Sequence, residues 1–229
     1  MTTLPFAIVG FDLDGTLLDT HGDLGNAVNH ALAIEGRAAL PTSEVRDMIG
    51  GGARKMLAKA LLATGGPVAD DRFEALHDAL LVFYEANIAV ETRLFPGGEA
   101  MLDALAAGGA KIAVVTNKLE RFAVKLLGEL GLTRRLFTVI GGDTLGPGRA
   151  KPAPDLLRLM VERGGGGRAA YVGDTTYDTR AAAAAGQPCV AVSFGFNDLP
   201  ADQLGADAVI AHFDELVPVL MRLGTPPSR

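Results

Sequence analysis

Residues 6–20 read FAIVGFDLDGTLLDT. The apolar run at the start of this stretch lacks helical spacing and passes directly into Asp12, Asp14, Gly15 and Thr16. A short run that is apolar on both faces and closed by turn residues predicts a central strand of a parallel sheet. Further along the chain the same signature recurs in KIAVVTN (111–117), FTVIGG (137–142), AAYVGD (169–174), PCVAVSF (188–194) and DAVI (207–210). Between these runs lie amphipathic stretches that stop at glycine: GGEAMLDALAAG, LERFAVKLLGELG, APDLLRLMVERG and TRAAAAAG. Glycine is a common helix terminator. Strand alternating with helix predicts an α/β fold with a mostly parallel sheet.

One long stretch interrupts the alternation. From the end of the first strand to Pro96 no convincing strand is visible, while Leu24, Ala27, Val28, Ala31 and Leu32 share one helical face. Phe73, Leu76, Leu80 and Tyr84 form a second stripe, read as core packing. This predicts a small helical domain over 20–91 inserted after the first strand, with 1–19 and 92–229 forming the α/β core. GGGG at 164–167 reads as a flexible loop without the spacing of a phosphate-binding loop.

Composition narrows the function classes. The 229 residues are 48% hydrophobic and 21% charged, which suits a globular chain with a substantial core. Lys and Arg number 21 against 27 Asp and Glu, a formal charge of −6. Such a balance argues against nucleic acid or an anionic membrane as partner. The single cysteine, Cys189, excludes an internal disulfide and points to a reducing, cytoplasmic location. No apolar run is long enough to span a bilayer. The start of the chain lacks the basic region of a signal peptide. The tail TPPSR (225–229) is expected to fray.

In open parallel sheets ligands bind at the carboxyl ends of the strands. There the sequence places Asp12 and Asp14, Thr116 and Asn117, and Asp174 and Asp178, with Lys151 in a loop before a helix. Singly, each has a bland reading as a turn former, helix cap or solvated charge. Jointly they converge on one rim. Four carboxylates there would repel and raise one another's pKa unless a cation intervened, and Mg2+ suits a few carboxylate oxygens plus waters.

FDLDGTLLDT (11–20), VVTNK (114–118), Lys151 in RAKPAP and GDTTYD (173–178) resemble, in order and strand placement, the four motifs of the haloacid dehalogenase-like superfamily. Within it, VVTNKLERFAVKLL, GGDTLGPGRAKPAPDLL, YVGDTTYDTRAAAAAG and FGFN (194–197) resemble the bacterial phosphoglycolate phosphatases. The fourth motif of the family usually carries serine where Thr175 stands, which keeps the hydroxyl. The stretch GPGRAK (146–151) is glycine-rich where relatives often carry a charged residue.

The resemblance implies a Rossmann-like core with a small α-helical cap, and a Mg2+-dependent phosphatase acting on a small phosphorylated metabolite, with 2-phosphoglycolate as the first choice. It implies Asp12 as nucleophile, Asp14 as general acid and base, and Lys151 as the charge partner. Thr116 and the Asn117 backbone N–H would hold the phosphoryl group. Asp12, Asp174 and the Asp14 carbonyl would hold the metal, and Asp178 would orient a metal-bound water or Lys151. Asp14 favours phosphoryl transfer over dehalogenation, because a halide needs no acid. In the insertion, VRDMIGGGARKML (45–57) brings backbone N–H groups and either Arg54 or Lys55 toward a substrate carboxylate; His21 could face the entrance. Alternatives are a phosphatase for pyrophosphate, a nucleotide or a sugar phosphate, a sugar-phosphate mutase, and a non-catalytic binding protein. The expected assembly is a monomer or a homodimer.

Overall fold

A computed structural model describes residues 3–225, so all but the first residue of the TPPSR tail lies outside the described residues. The central strand β1 (Ile8–Phe11) is followed by a two-residue strand β2 (Leu18–Asp19). Four helices come next: α1 (His21–Ile34), α2 (Thr42–Arg46), α3 (Ala53–Ala63) and α4 (Asp70–Ala86). The short strand β3 (Arg93–Leu94) returns antiparallel to β2.

The chain then alternates. Helix α5 (Gly98–Ala107) leads to β4 (Lys111–Val115), α6 (Glu120–Glu129) to β5 (Thr138–Ile140), and α7 (Asp155–Arg163) to β6 (Ala169–Gly173). Helix α8 (Thr176–Ala185), β7 (Cys189–Val192), β8 (Ala208–Ile210) and α9 (Leu216–Gly224) complete it. The six-stranded sheet is parallel throughout, in the order β5-β4-β1-β6-β7-β8. All six sequence-read strands are present. The β2–β3 ribbon is not among them, because two residues carry no periodicity to read.

Side chains alternate across the sheet with the period of two that a strand imposes. Val9, Phe11, Ile112, Val114 and Val172 pack on the face covered by α5, α6 and α9. Ile8, Ala113, Val115 and Tyr171 pack on the face covered by α7 and α8. The helix following β1 in the core thus lies on one face, and the helix following β6 on the other. These adjacent strands flank the switch point where an open α/β sheet binds ligands. Gly10, paired with Tyr171, makes room on the second face: a Cβ there would stand 2.4 Å from Met160 Sδ and 3.0 Å from the Tyr171 ring.

Between β2 and β3 the chain forms the helical insertion. Leu24, Ala27, Val28, Ala31 and Leu32 of α1 pack with Met56, Leu57 and Leu61 of α3 and with Leu76, Leu80 and Tyr84 of α4. Its two connections to the sheet are tied together by the buried Asp23. Its carboxylate accepts the backbone N–H of Glu91 at 3.0 Å, and the N–H and hydroxyl of Thr92 at 2.9 and 2.7 Å. No helix among the described residues is long and apolar enough to cross a membrane.

Candidate active site

Strand β1 delivers Asp12 and, one residue on, the turn that carries Asp14. Gly15 occupies this turn with φ +83°, a conformation that favours glycine. Its Cβ would stand 2.3 Å from Asp174 Oδ2, so the turn packs directly on the end of β6. Strand β4 ends next to Thr116, β6 ends next to Asp174, and the first turn of α8 holds Asp178. The Lys151–Pro152 peptide is cis.

Lys151 joins these elements. Its ammonium is 2.8 Å from Asp12 Oδ1 and 2.6 Å from Asp178 Oδ1, and it donates to the Tyr171 hydroxyl at 2.9 Å. Tyr171, seated in the space left by Gly10, donates in turn to the Val115 carbonyl at 2.5 Å. The other oxygen of Asp178 accepts Thr175 Oγ1 at 2.7 Å and the backbone N–H groups of Thr175 and Asp174 at 3.0 and 3.2 Å. The hydroxyl that Thr175 shares with serine thus caps α8 and braces Asp178. Asp174 accepts the Thr16 hydroxyl at 2.8 Å on one oxygen and the Phe196 N–H at 2.7 Å on the other.

Burial sets the charge states. Desolvation pushes the Asp12 carboxyl up to about 6; Lys151 opposes the shift and Asp178 and Asp14 add to it. Asp174 is held well above the usual carboxylate range by burial and by Asp178 and Asp12. For Lys151, burial disfavours the ammonium, but Asp12 and Asp178 outweigh it and raise its pKa.

Oxygens of Asp12, Asp174 and Asp178 come within 4.8 Å of one another, a set that can hold a metal ion. Asp178 is already engaged by Lys151 and by three N–H and O–H donors. Asp12 and Asp174 therefore keep more lone pairs for a cation, although Asp12 Oδ1 already faces the Lys151 ammonium at 2.8 Å. Among the described residues, Asp12, Asp14, Asp174 and Asp178 pair with two ammonium groups, Lys118 and Lys151. The deficit of two positive charges fits one divalent cation.

Lys118 was not singled out from the sequence, although it stands in the VVTNK motif. Its ammonium donates to both oxygens of Asp14, at 2.7 and 2.9 Å, and lies 4.8 Å from the centre of the Tyr84 ring. Burial disfavours its charge, yet Asp14 reverses the balance and raises its pKa. The Thr116 hydroxyl accepts the Lys118 backbone N–H at 3.1 Å. Asn117 Nδ2 donates to the Lys151 carbonyl at 3.0 Å, while its Oδ1 is buried without a partner.

A cavity of about 260 Å³ opens from Asp12, Asp14, Thr116 and Asn117 toward the insertion. Its far walls are Gly50–Gly52 and side chains of α3 and α4. Arg54 lines this cavity, but its guanidinium is bidentate on Glu74, at 2.8 and 2.5 Å, and about half-exposed. Lys55 turns to Tyr177, 3.2 Å from its hydroxyl. His21 stands 2.5 Å from Asp19 and edge-on to Phe196. Arg46 of α2, also unread from the sequence, reaches across to the sheet domain. It donates to the carbonyls of Phe194 and Gly195 at 2.8 and 2.7 Å, beside the N–H that holds Asp174.

The family model for haloacid dehalogenase-like hydrolases matches residues 9–192. A phosphoglycolate phosphatase of Caulobacter vibrioides is 42% identical over 209 residues, covering 90% of this chain and 87% of its own. One of Agrobacterium fabrum is 37% identical over 225 residues, covering 96% and 95%. Among solved structures, a predicted phosphoglycolate phosphatase from Haemophilus somnus 129pt matches with a TM-score of 0.86 at 27% identity, covering 94% of this chain and 98% of that one. With the aspartates that follow β1 and β6, Asp178 of α8 and Lys151 in one buried cluster, and with a family match spanning most of the sequence, this chain belongs to the haloacid dehalogenase-like hydrolases.

Proposed function

We propose that this chain is a Mg2+-dependent phosphatase that hydrolyses a small phosphomonoester, 2-phosphoglycolate, through an aspartyl-phosphate on Asp12. The observation that carries the reading is the pairing of Asp12 with Lys151 at the sheet end of a cavity that Asp12 and Asp14 line together. The named substrate rests on the printed names of the relatives.

In this mechanism an Asp12 oxygen attacks phosphorus in line, and the bond to the ester oxygen breaks. Asp14, oriented by Lys118, gives a proton to the departing oxygen. In the second step Asp14 takes a proton from water, whose oxygen attacks phosphorus and frees Asp12. Lys151 offsets the repulsion between the Asp12 carboxylate and the phosphate, and Asp178 and Tyr171 keep it in place. The Thr116 hydroxyl and the Asn117 N–H hold the phosphoryl oxygens. Asp12, Asp174 and the Asp14 carbonyl would hold Mg2+, which supplies charge neutralisation at the phosphoryl group. Residues 20–91 act as a cap over a core of 1–19 and 92–229, and Arg46 and the Gly50–Gly52 loop hold it closed against water.

Phosphate release over a panel of phosphorylated metabolites, with Mg2+ or with a chelator, tests this. The expected result is the highest kcat/KM for 2-phosphoglycolate and loss of turnover on chelation. Transfer of the phosphoryl group to a sugar without free phosphate, or turnover that ignores the chelator, would refute the reading.

A pH-dependent stability gain is a second expectation. The folded pKa of Asp12, about 6, lies above its ordinary value of 3.8, so ionising it costs the metal-free fold stability. That cost is absent below 3.8, builds as pH rises from 3.8 and is fully present once pH has passed about 6. Mg2+ on the ionised carboxylates removes it. The rise in Tm on adding Mg2+ should therefore be larger at about pH 7.5 than at about pH 5. Differential scanning fluorimetry checks this; an equal or larger rise at the lower pH contradicts the assignment of the metal to Asp12.

A further inference from the structure

The cavity has two poles. Asp12 and Thr116 mark the phosphoryl pole, and Tyr84, Leu80, Met56 and Ile49 of the insertion mark the other. Lys118 stands between them. Tyr84 is only 2% exposed, and its hydroxyl has no hydrogen-bond partner among the described residues. The ring cannot easily turn to find one, because it meets Phe122 edge-on with centroids 5.7 Å apart. A buried hydroxyl without a partner is disfavoured, and native structures retain few of them. An unpartnered donor against a cavity wall, beside a buried ammonium, has the chemistry of half an anion site.

The arginine and lysine side chains of the insertion that approach this cavity are already paired, and burial, with Arg54 nearby, holds the pKa of His77 on the same wall below its usual value. Arg54 is bidentate on Glu74, and Lys55 leans on Tyr177. Lys151 belongs to Asp12 and Asp178. The cation that faces both poles is Lys118, which lies over the Tyr84 ring.

We propose that Tyr84 and Lys118 form a subsite for a carboxylate on the leaving group, so that the substrates are phosphate esters of small hydroxy acids. The Tyr84 O–H donates to one carboxylate oxygen, and the Lys118 ammonium supplies the opposite charge while keeping its hold on Asp14. Burial raises the Tyr84 phenol to about 12, so it remains a donor at neutral pH. This inference rests on the phosphatase reading above and adds to it the residues that select the leaving group.

Tyr84→Phe tests it, because the ring and its packing are kept. Steady-state kinetics with Mg2+ would compare 2-phosphoglycolate with ethyl phosphate, which has the same chain length and no carboxylate. The ratio of kcat/KM for the two esters should fall about tenfold or more in the variant, chiefly through a higher KM for 2-phosphoglycolate. Competitive inhibition by glycolate should weaken by a similar factor. A wild-type enzyme that prefers ethyl phosphate, or a ratio that Tyr84→Phe leaves unchanged, would overturn the subsite while leaving the phosphatase reading intact. Failure of the wild type to release phosphate from either ester would refute the phosphatase reading itself, and the subsite with it.

Discussion

Asp12→Asn is expected to lower phosphate release by about 10⁴-fold or more without loss of stability. A mutation that removes a nucleophile typically has effects of this size. The amide cannot form the acyl-phosphate, and it is a poor metal ligand. The fold should tolerate the change because Asp12 is a buried carboxylate among like charges, held up to about 6 by its burial. Lys151 would still have Asp178 at 2.6 Å and the Tyr171 hydroxyl at 2.9 Å. The variant should therefore melt at or above the wild-type temperature in the absence of metal. Wild-type turnover by Asp12→Asn would remove Asp12 as the nucleophile.

Lys151→Met should lose activity for a different reason and lose stability as well. The ammonium is buried and touches Asp12, Asp178 and Tyr171 at once. Its removal leaves two buried carboxylates without their cation, and breaking a buried pair in this way costs about 3–5 kcal/mol. For a chain of this size that corresponds to a fall in Tm of roughly 10 °C. Activity should drop by about 10³-fold, since the charge that offsets nucleophile and phosphate repulsion is gone. Adding Asp178→Asn to Lys151→Met should restore part of the stability and none of the activity. A single variant as stable as wild type would contradict the ion-pair account, as would a double variant less stable than the single. Together, the two positions separate chemistry from folding: one loses activity alone and the other loses both.

The parallel core was legible because its strands are short apolar runs ending in acidic or small polar residues. Asp12, Thr116 and Asp174 are recognisable as strand ends from the sequence alone. The insertion was legible as helical stripes, but the β2–β3 ribbon at its base was not. Side-chain partners that depend on tertiary placement were also hidden. Lys118 lies in a motif that was read, yet nothing in the sequence shows its ammonium folding back 104 positions onto Asp14. Arg54 looked like a free cation facing the substrate, but α3 and α4 pack so that Glu74, 20 positions away, neutralises it. Tyr84 shares helical spacing with Leu76 and Leu80, which the sequence presents as a core stripe. Spacing cannot distinguish a side chain that fills the core from one that walls a cavity. Gly10 was read only as part of an apolar strand, and its role of leaving space for Tyr171 depends on the register between β1 and β6.

The central claim is that Asp12 carries the phosphoryl group, with Lys151 and a divalent cation beside it. A crystal structure of the enzyme with Mg2+ and beryllium fluoride tests this most directly. The account predicts beryllium bonded to an Asp12 carboxylate oxygen, with Mg2+ on Asp12 and Asp174 and the Lys151 ammonium against a fluorine. Asp12 left unmodified, with the cation bound elsewhere, would contradict it.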